Sequence, residues 1–215
     1  MKTVVMSDLY PCFCQALAEH GYKIIPTENI NIFHQPEQKH VDMQLLKIRD
    51  RIFTLKDCAK KVGKSYPENI LLNCLYFGDK LYGKLSAVDP TVLTYCKEQN
   101  IELVNVNQGY TRCSTLVISD YAVITADKSI EKVMKSNGAE VLLISSGNIV
   151  LEGFDYGFIG GAGFYDNNII YFFGNVKKHP DYDKIKVFCE KRHSKIEIIC
   201  EDKPLTDIGG AVVLD

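Results

Sequence analysis

Five apolar runs of strand length in this chain end on or just before an aspartate, and this pattern limits the possible architecture more than any other feature. The runs are Met43–Ile48, Ile70–Phe77, Cys113–Ile118, Gly161–Phe164 and Gly210–Leu214, and the aspartates are Asp50, Asp79, Asp120, Asp166 and Asp215. After the first four, a second apolar run starts almost at once, at Ile52, Leu81, Ala122 and Ile169. Successive aspartates lie 29, 41, 46 and 49 residues apart. Self-similarity on this scale marks stacked or radially repeated supersecondary units.

The stretches between the anchors also repeat. Asp89-Pro90 predicts a helix start, with Asp as the N-cap and Pro in the first turn, where its missing N–H is not needed. That helix runs to about Asn100 and is followed by a strand over Ile101–Val106. Lys128–Asn137 is helical in pattern, Gly138 stops it, and Glu140–Ile144 is the next strand. Pro180 opens a helix over Asp181–Arg192, followed by a strand over Lys195–Cys200. Near the start, Pro11–His20 reads as a helix stopped by Gly21, with a strand over Tyr22–Ile25. The unit is strand, strand, helix, strand. After Asp50 it is truncated, with room over Asp57–Gly63 for only a short helix. The C-terminal segment has only a first strand, and the N-terminal segment lacks one. The two fragments complete a unit if the ends meet, which closes a ring and leaves no open sheet edge. The competing architecture is a doubly wound open sheet. No Pro-, Gly- or Ser-rich linker divides the chain, so residues 1–215 are expected to form a single domain.

An apolar fraction of 46%, a charged fraction of 24% and a net charge of −2 describe a globular chain with no charge block to draw nucleic acid or an anionic membrane. No apolar segment is long enough to span a bilayer, and Asp8 and Pro11 interrupt the short N-terminal one. Eight cysteines without a secretory signal point to free thiols in a cytoplasmic location. The one close pair, Cys12 and Cys14, has no companion at metal-site spacing, so neither a metal nor a cofactor is expected.

Three short segments could carry chemistry. In His40-Val41-Asp42, period-two alternation puts a proton-shuttling imidazole and a carboxylate on one face of an extended segment. In Gln108–Leu116, a glycine turn leads to Cys113 at the mouth of an apolar strand, with Arg112 beside it to favour a thiolate if it points the same way. Taken alone, a single cysteine such as Cys113 is usually a packed thiol. The pairs Gly160-Gly161 and Gly209-Gly210 precede strands and not helix N-termini, which excludes a phosphate loop. Glycines at a strand mouth instead allow something to approach the backbone closely.

Together these features resemble the pentein superfamily of guanidino-group-modifying enzymes. The pattern is closest to its dimethylarginine dimethylaminohydrolase and deiminase members. His40-Val41-Asp42 resembles the family's histidine segment, and Gly109–Leu116 the segment around its nucleophilic cysteine. The glycine pairs resemble those that precede a substrate-gripping acid. Here they follow the cysteine instead of preceding it, which around a closed ring is a circularly permuted order. Ala162 and Ala211 stand where the catalytic members place that acid, and Ile159 and Ile208 where several have a glutamate.

The resemblance implies an α/β fold, a pentein-type five-module ββαβ propeller with the termini meeting in one module. It implies a cysteine-dependent hydrolase acting on a small-molecule guanidine or amidine through a covalent thiouronium-like intermediate. Cys113 and His40 are the expected catalytic residues, and Asp42, Asp207 and Arg112 the expected substrate-binding residues. Asp207 enters because it lies eight residues before its anchor, as Asp42 lies before Asp50. The alternative is a non-catalytic binding protein on the same ring, resembling a ribosomal-subunit anti-association factor.

Overall fold

The computed structural model describes residues 1–214; Asp215, the last predicted anchor, lies outside them. In chain order the elements are β1 (Lys2–Met6), α1 (Pro11–Glu19), β2 (Tyr22–Pro26), α2 (Val41–Gln44), β3 (Leu45–Ile48), β4 (Arg51–Thr54), β5 (Leu75–Phe77), β6 (Lys80–Gly83), α3 (Pro90–Glu98), β7 (Glu102–Asn105), β8 (Thr115–Ser119), β9 (Ala122–Thr125), α4 (Lys128–Ser136), β10 (Glu140–Leu143), β11 (Gly163–Asp166), β12 (Ile169–Asn175), α5 (Tyr182–Glu190), β13 (Lys195–Pro204) and β14 (Ala211–Val213).

The strands form five small sheets: β14–β1–β2, β3–β4, β5–β6–β7, β8–β9–β10 and β11–β12–β13. In each three-stranded sheet the middle strand pairs antiparallel on one side and parallel on the other. A parallel partner requires a crossover, and α1, α3, α4 and α5 each supply one. The chain ends share a sheet: Val4 of β1 lies opposite Val213 of β14, and Met6 opposite Ala211.

The helices start where side chains can take up their free N–H groups. Asp89 accepts from Thr91 N at 2.8 Å, and Asp127 accepts from Ser129 N and Ile130 N at 2.7 and 3.0 Å. Each nine-residue helix buries one i, i+4 pair: Phe13 and Leu17, Val92 and Cys96, Ile130 and Met134, Ile185 and Cys189. Burying a large apolar side chain contributes roughly 1.5–3 kcal/mol, so these pairs fix each helix to its sheet. No helix among the described residues is long and apolar enough to cross a membrane.

The short helix predicted over Asp57–Gly63 does not form; the segment is turns and bends. Side-chain carboxylates take its N–H groups instead. Asp89 accepts from Ala59 N and Lys60 N at 3.0 and 2.8 Å, while Asp57 turns back to accept from Thr54 N, at the end of β4, at 2.8 Å.

The first strand of every unit also starts later than its apolar run. Met43, Asn73, Cys113, Gly161 and Gly209 each lie two residues before β3, β5, β8, β11 and β14 respectively. A cavity of about 270 Å³ is lined by residues of these same five strands, one from each sheet. The residues just before the strands therefore gather at one end of it, and the candidate site lies there.

Candidate active site

A second cavity, of about 290 Å³, is lined by Cys113 and His40 together with Glu37, Asp207 and a set of aromatic side chains. Cys113 sits in the turn at the mouth of β8, where Ser114 N bonds Tyr110 O at 3.0 Å and Thr115 N bonds Arg112 O at 3.1 Å. His40 caps the short helix α2, and Asp42 lies within its first turn. The predicted extended segment is absent, yet the helical turn still turns both side chains toward each other. His40 Nδ1 lies 4.0 Å from Asp42 Oδ1 and 3.9 Å from Asp207 Oδ1.

Asp207 is held in place by Phe158 N at 2.8 Å and Gly209 N at 2.9 Å. The glycine pairs make this possible. A side chain at Gly161 would meet the Asp207 carboxylate, and one at Gly209 would meet the His40 ring. Gly209 also has φ +82°, a conformation that other residues rarely adopt. The close approach predicted for these glycines is thus made by two site residues.

Asn73 was not among the residues singled out from sequence. Its Nδ2 lies 2.8 Å from Cys113 Sγ, and its Oδ1 accepts from the backbone N–H groups of Arg112 and Cys113 at 3.1 and 3.3 Å. The sequence does hold a signal: an asparagine interrupts the otherwise apolar run Ile70–Phe77. Glu37, in the polar loop before His40, was not singled out either; it is buried and faces the cavity.

Arg112 does not line this cavity. Its guanidinium donates to Leu45 O at 2.9 Å and Ala211 O at 3.3 Å, and it borders the cavity between the five strands. Asp42 is also off the cavity wall, 1% exposed; no N–H or O–H donor reaches its oxygens, and only the weakly donating Cys113 thiol lies against its carboxylate. His40 Nε2 is likewise buried with no hydrogen-bond partner. Such unpaired buried groups are costly, and they concentrate where a ligand completes the pairing.

The electrostatics follow from burial and negative charge. Burial, then the carboxylates of Asp42 and Asp207, push the Cys113 thiol well above its ordinary range, while the Asn73 hydrogen bond opposes them. Burial raises Asp42 to about 6, against the opposing pull of His40, and burial raises Glu37 as well. The site as it stands favours a neutral thiol and has unmet demand for positive charge. Outward, the wall continues as stacked rings: Tyr110 on Phe158 at 6.1 Å and Tyr66 on Tyr110 at 6.0 Å. Tyr156 and Phe154 stand nearly half exposed at the rim. Phe164 packs elsewhere, in the core with Tyr22, Tyr171 and Phe173. All eight cysteines are free, and among the described residues no group of three or more His, Cys, Asp or Glu is placed to hold a metal ion.

Solved structures share the fold. DDAH from Pseudomonas aeruginosa, a mutant complexed with citrulline, aligns with a TM-score of 0.57 at 9% identity, over 99% of this chain and 98% of that one. A dimethylarginine dimethylaminohydrolase adduct with 4-chloro-2-hydroxymethylpyridine aligns with a TM-score of 0.54 at 11% identity, over 99% of both chains. These likenesses place the mixed α/β chain among DDAH-like pentein folds. No curated protein matches the chain by sequence. A family model described as a family of unknown function, DUF6873, matches residues 4–212, and the chain therefore belongs to that family.

Proposed function

We propose that this chain is a cysteine-dependent hydrolase of a small guanidine or amidine. The observation that carries the reading is the meeting of Cys113, His40, Glu37 and Asp207 on one small cavity. The fold shared with a protein solved in complex with citrulline is consistent with it. In this reading residues 1–215 form a single domain, a five-module propeller in circularly permuted order. The propeller is supported by the five small sheets, the shared sheet at the chain ends and the cavity lined by one strand from each sheet, and the permuted order rests on the glycine pairs following Cys113 in the sequence.

Bound guanidinium would place its positive charge among Glu37, Asp207 and, behind them, Asp42, where charge-assisted hydrogen bonds are available. That charge also offsets the effect of Asp42 and Asp207 on Cys113, so substrate binding itself favours the thiolate. The thiolate adds to the planar carbon and forms an S–C bond. The C–N bond to the leaving amine breaks as His40 gives that nitrogen a proton. His40 then takes a proton from water. The oxygen displaces sulfur, leaving a urea-type product and a free thiol. Asn73 and the backbone turn at Cys113 hold the sulfur in position.

S-methylisothiourea tests this reading, because methanethiol leaves without needing a strong acid. Intact-mass spectrometry of the His40→Ala variant is expected to show an amidino adduct on Cys113, while the native chain turns over to urea. Absence of both the adduct and urea would leave the non-catalytic binding protein as the better account.

A further inference from the structure

The part of the ligand beyond the reacting group can also be read from the cavity; this rests on the guanidine or amidine reading above. The charged groups on the wall are Glu37, Asp155, Asp207 and the titratable His40, with no lysine or arginine among them. Three cations near these residues in sequence or through shared contacts have partners of their own. Lys39 Nζ pairs with Asp8 at 2.7 Å, Lys84 Nζ bonds Tyr66 Oη at 2.7 Å, and Arg112 bonds two backbone carbonyls. Lys178 borders a neighbouring hollow, on the other side of Phe154 and Asp155.

A tail leaving the reacting end would run past the Tyr110 and Phe158 rings to a rim formed by Phe154, Asp155 and Tyr156. A carboxylate on that tail would meet a wall whose carboxylates, Glu37, Asp155 and Asp207, repel it and whose remaining surface along the tail's path is mostly ring faces and aliphatic side chains, both unfavourable. An alkyl tail would bury against the rings. A terminal ammonium would gain the ring faces and Asp155. We infer that the cavity accepts guanidines or amidines whose tail carries no negative charge, with a terminal amine favoured over a plain alkyl group, and discriminates against carboxylate-ended tails such as those of amino-acid guanidines.

The test measures protection of Cys113 from alkylation by 2-chloroacetamidine. Three guanidines of equal chain length are compared, ending in an amine, a methyl group or a carboxylate. The amine-ended compound is expected to protect at a concentration about tenfold or more below that of the carboxylate-ended one, with the alkyl compound between them. Asp155→Lys, a change at an exposed position, is expected to narrow or invert the order. Equal or better protection by the carboxylate-ended compound overturns the inference, as would an unchanged order in Asp155→Lys, and both leave the guanidine reading standing. If none of the three protects, the guanidine reading and this inference fall together.

Discussion

Asn73 and Cys113 occupy the same position in successive units, two residues before β5 and β8, and they touch: Asn73 Nδ2 lies 2.8 Å from Cys113 Sγ while Asn73 Oδ1 accepts the Cys113 N–H. A single buried amide therefore sets both the sulfur and the backbone turn that carries it. Asn73→Ala leaves two N–H groups without their acceptor, and buried unpaired groups cost about 1–3 kcal/mol each. A lower melting temperature is expected. Asn73→Asp is the sharper probe, because it adds a third carboxylate beside the thiol. Alkylation of Cys113 by neutral iodoacetamide at pH 8 is expected to slow by about tenfold or more, one unit of pKa being a tenfold change in thiolate. Intact-mass kinetics report the rate directly.

The ligand-free thiol lies well above its ordinary range, chiefly through burial and then through Asp42 and Asp207. The rate of Cys113 alkylation by neutral iodoacetamide is accordingly expected to be still rising at pH 9, the usual midpoint of a thiol. A cationic amidine reagent brings the missing positive charge with it, so its rate profile is expected to rise at markedly lower pH. Coincident profiles would show that the carboxylates do not act on the sulfur.

Asp42 is raised by burial to about 6 from 3.8. The folded chain then holds a proton that the unfolded chain has released, so stability falls as pH rises from about 4 to about 6. Asp42→Asn removes the titrating group. Urea denaturation is expected to show a shallower loss of stability over that window and a more stable variant at pH 7.5. The same change removes one charge that disfavours the thiolate, and iodoacetamide labelling of Cys113 is expected to quicken several-fold.

Gly161 and Gly209 leave room for Asp207 and His40, and a methyl group at either position collides with them. Gly209 has the added strain of φ +82°. Gly209→Ala is expected to cost about 2–4 kcal/mol, within the range seen for core overpacking and backbone strain. Gly161→Ala displaces a carboxylate, and its expected signature is weaker guanidine binding. Chemical denaturation and ligand protection of Cys113 separate the two effects.

The repeat was legible because it rests on strong local signals. Apolar runs, the Asp89-Pro90 cap, prolines at helix starts and glycine stops each act within a few residues, and they place four helices and their strands. The unit after β4 was misread because its missing helix is decided by Asp89, some 30 residues away, whose carboxylate captures the N–H groups of Ala59 and Lys60. In the site, Cys113 and His40 announce themselves by residue type and glycine context. Asn73 and Glu37 do not, since only the tertiary arrangement brings an amide in an apolar run, or an acid in a polar loop, to the sulfur or the cavity. Arg112 shows the opposite failure. Its neighbour in sequence is the thiol, but its side chain leaves in another direction, to the carbonyls of Leu45 and Ala211.

Competitive labelling with 2-chloroacetamidine, read by peptide mass spectrometry, reports on the central pairing of thiol and imidazole. Cys113 is expected to react much faster than Cys74 and Cys96, which are also buried and whose thiols burial raises to high values. His40→Ala is expected to slow that reaction while leaving the other cysteines unchanged. Uniform, slow labelling of all the buried thiols, indifferent to His40, would contradict it.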